Sequence, residues 1–265
     1  MTASCRFFRC AFLLALPGCA AWQSAPVLPT RNSLVLEQLV ISSDFPLPQH
    51  HRLLDELVAQ RGALATKLGL PTSDEPIHVY LFGSADKFKQ FMNVNYPEFP
   101  ERRAFFVESD TRLMVYAYWG DRVAEDLRHE VAHGYLHAAV GHLPLWLDEG
   151  LAEYFEVGRG NDGLNTAHVN ELQVAIPKGW KPDLRRLEAL TSAGDMTQLD
   201  YAESWAWVHL LLQSGDADRL CLQNYLQSLR RGEARDAFAT KLREVHLDYE
   251  RRLQSHVEQL AYSLR

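Results

Sequence analysis

The sequence predicts an α+β fold, with a small, mainly antiparallel N-terminal sheet followed by a helical C-terminal half. Two observations support this prediction. Short segments rich in β-branched and aromatic residues occur almost entirely before Gly120, and apolar residues recur at helical spacing after it. Strands that come before the helices, rather than alternating with them, are typical of an α+β arrangement.

Four strands and two helices are predicted before Gly120. The strands cover 34–42, 77–82, 103–108 and 112–119, and the last two flank a turn at Ser109-Asp110-Thr111. The helices cover 51–68, which ends at Gly69 before Pro71, and 84–92.

The rest of the chain is predicted to be helical. Asp121 can cap the first of these helices, and Asp200 with Glu203 forms a capping box for a later one. Two more helical segments finish the chain. The predicted helices before those two cover 121–140, 144–158, 184–190 and 200–213.

The composition is that of a globular protein with a substantial core. The chain has 265 residues, of which 47% are apolar and 23% are charged. Its formal net charge of −7 argues against nucleic acid as a partner.

The first 18 residues resemble a bacterial lipoprotein leader. Two arginines precede an apolar run that is too short to span a bilayer, and Leu16-Pro17-Gly18-Cys19 follows. The resemblance implies cleavage before Cys19, a lipid on that cysteine, a tether over 19–33, and an outer-membrane location facing the periplasm. An ordinary secretory leader is the alternative.

The cysteine count narrows the possible metal chemistry. Cys5 and Cys10 would leave with the leader and Cys19 would carry lipid, so Cys221 alone would remain. A mature chain with one thiol forms no internal disulfide and no cysteine-ligated zinc site. Cys221 lies among apolar helical residues, so we expect it to be buried.

The strongest chemical signal is the sequence His129-Glu130-Val131-Ala132-His133. Residues four apart share one face of a helix, so both imidazoles can bind one ion, and zinc suits neutral imidazole nitrogens. Glu130 is then placed to act as general base. A catalytic zinc also needs a third protein ligand. The longer pattern with a third histidine is absent, because Leu136 and Ala139 occupy the required positions.

A second motif follows in 145–155, Leu-Trp-Leu-Asp-Glu-Gly-Leu-Ala-Glu-Tyr-Phe. Together with the first motif it resembles the gluzincin metallopeptidases, and the small peptidase-MA-like proteins in particular. The resemblance is specific over 128–156. It implies a zincin-like peptidase domain over 34–265, with Glu149 as the third zinc ligand. Glu153 is either a rival ligand or a hydrogen-bond acceptor for a zinc-bound imidazole.

The resemblance also suggests a hydrogen-bond donor for the reaction. Gluzincins supply a tyrosine or histidine from a later helix, which here makes Tyr201 the first candidate and His209 the second. Core packing is the alternative for both. By analogy with zincin folds, strand 112–119 is expected at the edge of the sheet. His137 and His142 are not expected to be ligands.

The sequence therefore predicts a zinc-dependent peptidase in the cell envelope, acting on a peptide or protein and bound to the membrane only through its lipid. Three alternatives remain. One is another zinc hydrolase, such as one that acts on cell-wall peptides. The second is a lipoprotein for binding or assembly with a structural metal. The third is a metal-free protein in which the motif arose by chance.

Overall fold

The computed structural model describes residues 26–48 and 50–265, so the predicted leader and Cys19 lie outside the described residues. Its strands are β1 (Asn32–Leu36), β2 (Leu39–Ser43), β3 (Ile77–Phe82), β4 (Ala104–Ser109) and β5 (Arg112–Tyr118). Its helices are α1 (Arg52–Leu68), α2 (Ala85–Asn95), α3 (Val123–Val140), α4 (Leu145–Phe155), α5 (Thr166–Ala175), α6 (Leu184–Glu188), α7 (Gln198–Gln213), α8 (Asp216–Arg230), α9 (Phe238–Val245) and α10 (Tyr249–Ser263). The architecture is α+β, as predicted.

The five strands form a mixed sheet in the order β1-β2-β3-β5-β4. The prediction of a mainly antiparallel sheet is wrong, because β2 pairs with β3, and β3 with β5, in parallel. Helix α1 lies in the connection from β2 to β3 and returns the chain to the end of the sheet at which β2 began. Helix α2 leads from β3 into β4, which runs antiparallel to β5. Strand β5 lies inside the sheet, and β4 forms the edge that was predicted for β5.

The predicted first strand, 34–42, is a hairpin rather than one strand. Strands β1 and β2 pair antiparallel, with Leu36 opposite Leu39. Glu37 takes a φ of 50° at the turn, a left-handed conformation that interrupts an extended strand. The hairpin begins at Asn32, within the predicted tether.

The two faces of the sheet pack against different layers. Ile77, Val79 and Leu81 point into the main core beneath the helices, whereas Tyr80 and Phe82 join an aromatic cluster. This alternation follows from the two-residue period of a strand. The main core fixes the sheet beneath α3, which carries the first motif.

The predicted helix caps differ from those in the structure. Helix α3 begins after Arg122, without a side-chain cap from Asp121. Helix α7 is capped by a box of Thr197 and Asp200, whereas Glu203 is fully buried and accepts a hydrogen bond from the backbone N–H of Asp183 at 2.7 Å.

The helical half also contains more helices than predicted. Helix α5 was missed, because no helix was predicted between residues 158 and 184, and three helices rather than two follow α7. Cys221 on α8 is partly rather than fully buried. Within the described chain, no helix is both long and apolar enough to cross a membrane.

Candidate metal centre

Helix α3 presents His129 and His133 one turn apart on the same face. Their Nε2 atoms are 3.2 Å apart, and His133 is 6% exposed. Leu127 and Val131 on the same helix are fully buried in the main core. Packing therefore fixes the backbone that holds the two imidazoles together.

Helix α4 brings Glu149 to both imidazoles. Its Oε2 atom lies 3.6 Å from His129 Nε2 and 3.7 Å from His133 Nε2, and the residue is 7% exposed. The structure thus brings together the three side chains that the sequence proposes as metal ligands.

Gly150 explains how α4 reaches this position. A Cβ atom at Gly150 would lie 2.5 Å from the carbonyl oxygen of Ser204 on α7. That distance is too short for a non-bonded contact, so the two helices can pack this closely only when residue 150 has no side chain. The glycine in the second motif therefore sets the depth at which Glu149 lies.

The three ligand atoms fit a tetrahedral zinc ion. Bonds of about 2.0–2.1 Å place neighbouring ligands of a tetrahedron about 3.3–3.4 Å apart. The observed separations are 3.2, 3.6 and 3.7 Å. Glu149 Oε2 is buried and has no hydrogen-bond partner among the described residues. A buried polar atom without a partner needs an explanation, and a bound cation supplies one.

Each imidazole is oriented by a carboxylate on its other nitrogen. His133 Nδ1 lies 2.9 Å from Asp148 Oδ1, and His129 Nδ1 lies 3.0 Å from Glu156 Oε2. When Nδ1 donates its proton to a carboxylate, Nε2 keeps the lone pair that a metal needs. Both Nε2 atoms face Glu149.

The sequence proposes Glu153 for such a role, but the structure gives the acceptor position on His129 to Glu156. Glu153 Oε2 instead lies 2.7 Å from Nε2 of His168 on α5. The phase of the helix accounts for this difference, since Glu153 points towards α5 whereas Glu156, just beyond the end of α4, reaches back to α3. Ligand atoms of His129, Glu153 and Glu156 still lie within 4.8 Å of one another.

His137 lies outside the group of His129, His133 and Glu149 and is connected to it through Asp148. Its Nε2 is 3.0 Å from Asp148 Oδ2 and its Nδ1 is 2.7 Å from Glu108 Oε2. Asp148 is thus held between His133 and His137. His142 is exposed beyond the end of α3.

The charged groups of the centre shift one another's pKa values. Burial disfavours charge on His133, but Asp148 and Glu149 outweigh it and raise its pKa to about 10. Burial would raise the pKa of Glu149, but the imidazoles of His129 and His133 lower it to about 2. Without a cation, the imidazoles of the centre are protonated and form ion pairs with its ionised carboxylates. A metal must therefore displace protons to bind.

A cleft of about 820 Å³ opens beside the centre. His129 and Glu130 line it from α3, Tyr201 from α7, and Arg102 from the loop before β4. Burial raises the pKa of Glu130, although the imidazoles of His129 and His133 act to lower it. The predicted base and the predicted donor therefore face the same space.

Tyr201 lies against Arg102. Arg102 Nη2 donates a hydrogen bond to Tyr201 Oη at 3.0 Å. Burial and the charge of Glu149 raise the pKa of Tyr201, although Arg102 lowers it. The phenol thus stays protonated at neutral pH, and its own proton is available to an acceptor in the cleft.

His209, the second candidate donor, does not line this cleft. Its Nδ1 lies 2.9 Å from His256 Nε2, and its ring packs against Trp205 and Tyr154. Core packing, the alternative weighed for this residue, describes its surroundings.

Three residues of the site were missed by sequence reasoning. Asp148 lies within the second motif and Glu156 directly follows it, and the presence of two imidazoles that need orienting partners could have pointed to nearby carboxylates. No sequence motif marks Arg102, which lies in a loop 27 residues before His129.

Comparisons with known proteins add no assignment. No protein-family model matches this chain, and no curated protein matches it. The geometry described above is therefore the basis for any functional conclusion.

Proposed function

We propose that this protein is a zinc-dependent peptidase attached to the bacterial cell envelope by a lipid on Cys19. One observation carries the catalytic part of this proposal. A buried oxygen of Glu149, without a hydrogen-bond partner in the described chain, faces the Nε2 atoms of His129 and His133 beside an open cleft.

His129, His133 and Glu149 would hold the zinc ion. A bound zinc acts as a Lewis acid, which polarises a carbonyl group and lowers the pKa of water. The group provides three protein ligands from the described residues. Three is the number found in catalytic zinc sites, whereas structural sites have four.

Glu130 would act as the general base. It takes a proton from the attacking water and returns it to the leaving amine. Burial raises its pKa, which brings a carboxylate closer to the range in which it both accepts and releases a proton near neutral pH.

Tyr201 would stabilise the negative charge that develops on the carbonyl oxygen. Its phenol is protonated, faces the cleft, and is held in place by Arg102. A fixed donor aimed at a developing charge needs no reorganisation during the reaction.

The position of β4 supports a polypeptide as substrate. This strand is an edge of the sheet, and Phe106 in it stacks on the ring of His133 with centroids 5.8 Å apart. An extended peptide that pairs with this edge would run beside the metal centre.

A Glu130→Gln variant tests the proposal. We expect it to retain zinc and lose peptide turnover by about 10²–10⁴-fold or more. Full turnover would exclude Glu130 as the base. A zinc-binding variant that still performs the cellular role would favour the alternative, a lipoprotein for binding or assembly. A substrate panel that includes cell-wall peptides separates a peptidase from other zinc hydrolases.

The envelope location has its own test. A Cys19→Ser variant is expected to leave the membrane fraction and to lose incorporation of labelled fatty acid. If the parent protein incorporates no fatty acid, the lipid anchor is excluded while the metal centre is unaffected.

A further inference from the structure

We propose that Arg102 binds a carboxylate group of the substrate, so that the peptidase proposed above is selective for anionic peptides. This inference rests on the proposed function for its substrate, but the pairing of charges in the cleft supports it independently. The carboxylate is either the C-terminal group of a peptide or an acidic side chain.

The other basic side chains that line the cleft already have carboxylate partners. Arg103 holds Asp126 through two nitrogens, with contacts as short as 2.7 Å. Arg122 pairs with Glu125, and Lys89 lies 3.6 Å from Glu101. In the described chain, Arg102 lines the same cleft and has no carboxylate within ion-pair distance.

The acidic side chains of the cleft are also engaged, with one exception. Glu153 pairs with His168, and Glu156 with His129. Glu125 and Asp126 hold the arginines named above. Glu130, the proposed base, lines the cleft and forms no ion pair among the described residues, since the imidazoles beside it lie against Glu149. Arg102 and Glu130 are thus the two charges of the cleft that remain available to a reactant.

The anchoring of the next residue and a contact with Tyr201 hold Arg102 in position. The adjacent residue, Arg103, is clamped to the first turn of α3 by Asp126. Arg102 Nη2 donates to Tyr201 Oη at 3.0 Å, and its guanidinium carbon lies 6.0 Å from the centre of the Tyr201 ring. A guanidinium has five N–H groups, so one bond to Tyr201 leaves enough of them for a two-pronged bond to a carboxylate.

The two sources of a carboxylate imply different cleavage patterns. A C-terminal carboxylate on Arg102 would place a bond near the end of the peptide beside Glu130, so the protein would remove C-terminal residues. An acidic side chain on Arg102 would instead select internal bonds near aspartate or glutamate.

Binding of three blocked dipeptides tests the proposal. The probes are N-acetyl-Ala-Phe with a free carboxylate, its C-terminal amide, and N-acetyl-Glu-Phe-amide, in which only the side chain is anionic. Affinity is measured by calorimetry or NMR titration with the full chain carrying Glu130→Gln, supplied with zinc. We expect at least one anionic peptide to bind about 10- to 100-fold more tightly than the neutral amide.

Variants at two arginines complete the test. Arg102→Gln should remove this preference, and Arg102→Lys should retain part of it, since lysine keeps the charge but loses the planar fork. Arg122→Gln is the matched control, because it removes a cleft arginine that already has a partner, and it should leave the preference intact. Thermal unfolding of each variant verifies that it is folded.

The outcomes separate this proposal from the peptidase assignment. Equal binding of all three peptides, no binding of any of them, or a preference that survives Arg102→Gln would overturn the carboxylate site. If the preference depends on Arg102 but the parent protein cleaves none of the peptides, the carboxylate site stands and the result counts against the peptidase.

Discussion

Nδ1 of His133 lies 2.9 Å from Oδ1 of Asp148, the residue directly before Glu149. One turn of α4 therefore orients a histidine and also presents the carboxylate that lies 3.7 Å from its other nitrogen. The position of α4 against α3 therefore sets both contacts of His133 at once.

Replacing Asp148 with asparagine should weaken zinc binding by about 10- to 100-fold, a loss typical of a missing partner to a metal-bound histidine. Asparagine retains the shape but lacks the charge that favours Nδ1 as the donor. The measurement is competition for zinc with a chelator of known affinity. Glu153→Gln is the control, since Glu153 bonds His168 and its loss should cost less. If Glu153→Gln weakened binding more than Asp148→Asn, the orienting role would pass to Glu153.

Gly150→Ala should destabilise the fold by about 1–3 kcal/mol or more, because the new methyl group would collide with the backbone of Ser204. Gly62→Ala is the matched control. Gly62 also lies inside a helix, α1, but a Cβ there meets nothing within 4 Å. The Gly62→Ala substitution should stabilise the protein by up to about 1 kcal/mol. Urea unfolding measures both values, and a neutral Gly150→Ala would refute the close approach of α4 to α7.

The pair formed by buried His209 and partly buried His256 should make stability fall in mild acid. Burial, together with the charge of the partner histidine, lowers the pKa of His209 to about 3, and burial with Arg252 lowers that of His256 to about 4. In the unfolded chain both titrate near 6.5. Below that pH the unfolded state binds protons that the folded state does not, so the free energy of unfolding decreases from about pH 6.5 towards pH 4.

The slope of this dependence is at most about 1.4 kcal/mol per pH unit for each histidine. A variant with both His209→Gln and His256→Gln should show a flatter profile between about pH 7 and pH 5. The variant retains His129 and His133, whose raised pKa values act in the opposite direction, so the difference between the two profiles isolates the pair. Identical slopes would contradict the assignment.

The sequence predicts well what depends on short-range periodicity. His129, Glu130 and His133 could be placed because four residues span one turn, and Glu149 because its motif identifies a second helix. The partners of these residues depend on how helices cross. Glu153 and Glu156 are both plausible acceptors in the sequence, and only the packing of α4 against α3 and α5 distinguishes them.

The pairing of the strands was predicted less well, because it also depends on contacts between distant parts of the chain. Pairing between β2 and β3 joins segments that are far apart in the chain, and periodicity does not reveal it. The helix predicted over 51–68 was nevertheless a usable signal, since a helical connection between two neighbouring strands favours parallel pairing. The position of β5 inside the sheet, with β4 at its edge, depends on another pairing between distant segments, that of β3 with β5.

Zinc stoichiometry tests whether His129, His133 and Glu149 bind a metal ion. Wild-type protein and a Glu149→Gln variant are stripped with a chelator, supplied with zinc, and assayed for bound metal, with Glu153→Gln as the control. We expect one zinc per chain in the wild type and the control, and a large loss of affinity in Glu149→Gln. No bound zinc in folded wild-type protein, or unchanged affinity in Glu149→Gln, would contradict a centre formed by His129, His133 and Glu149.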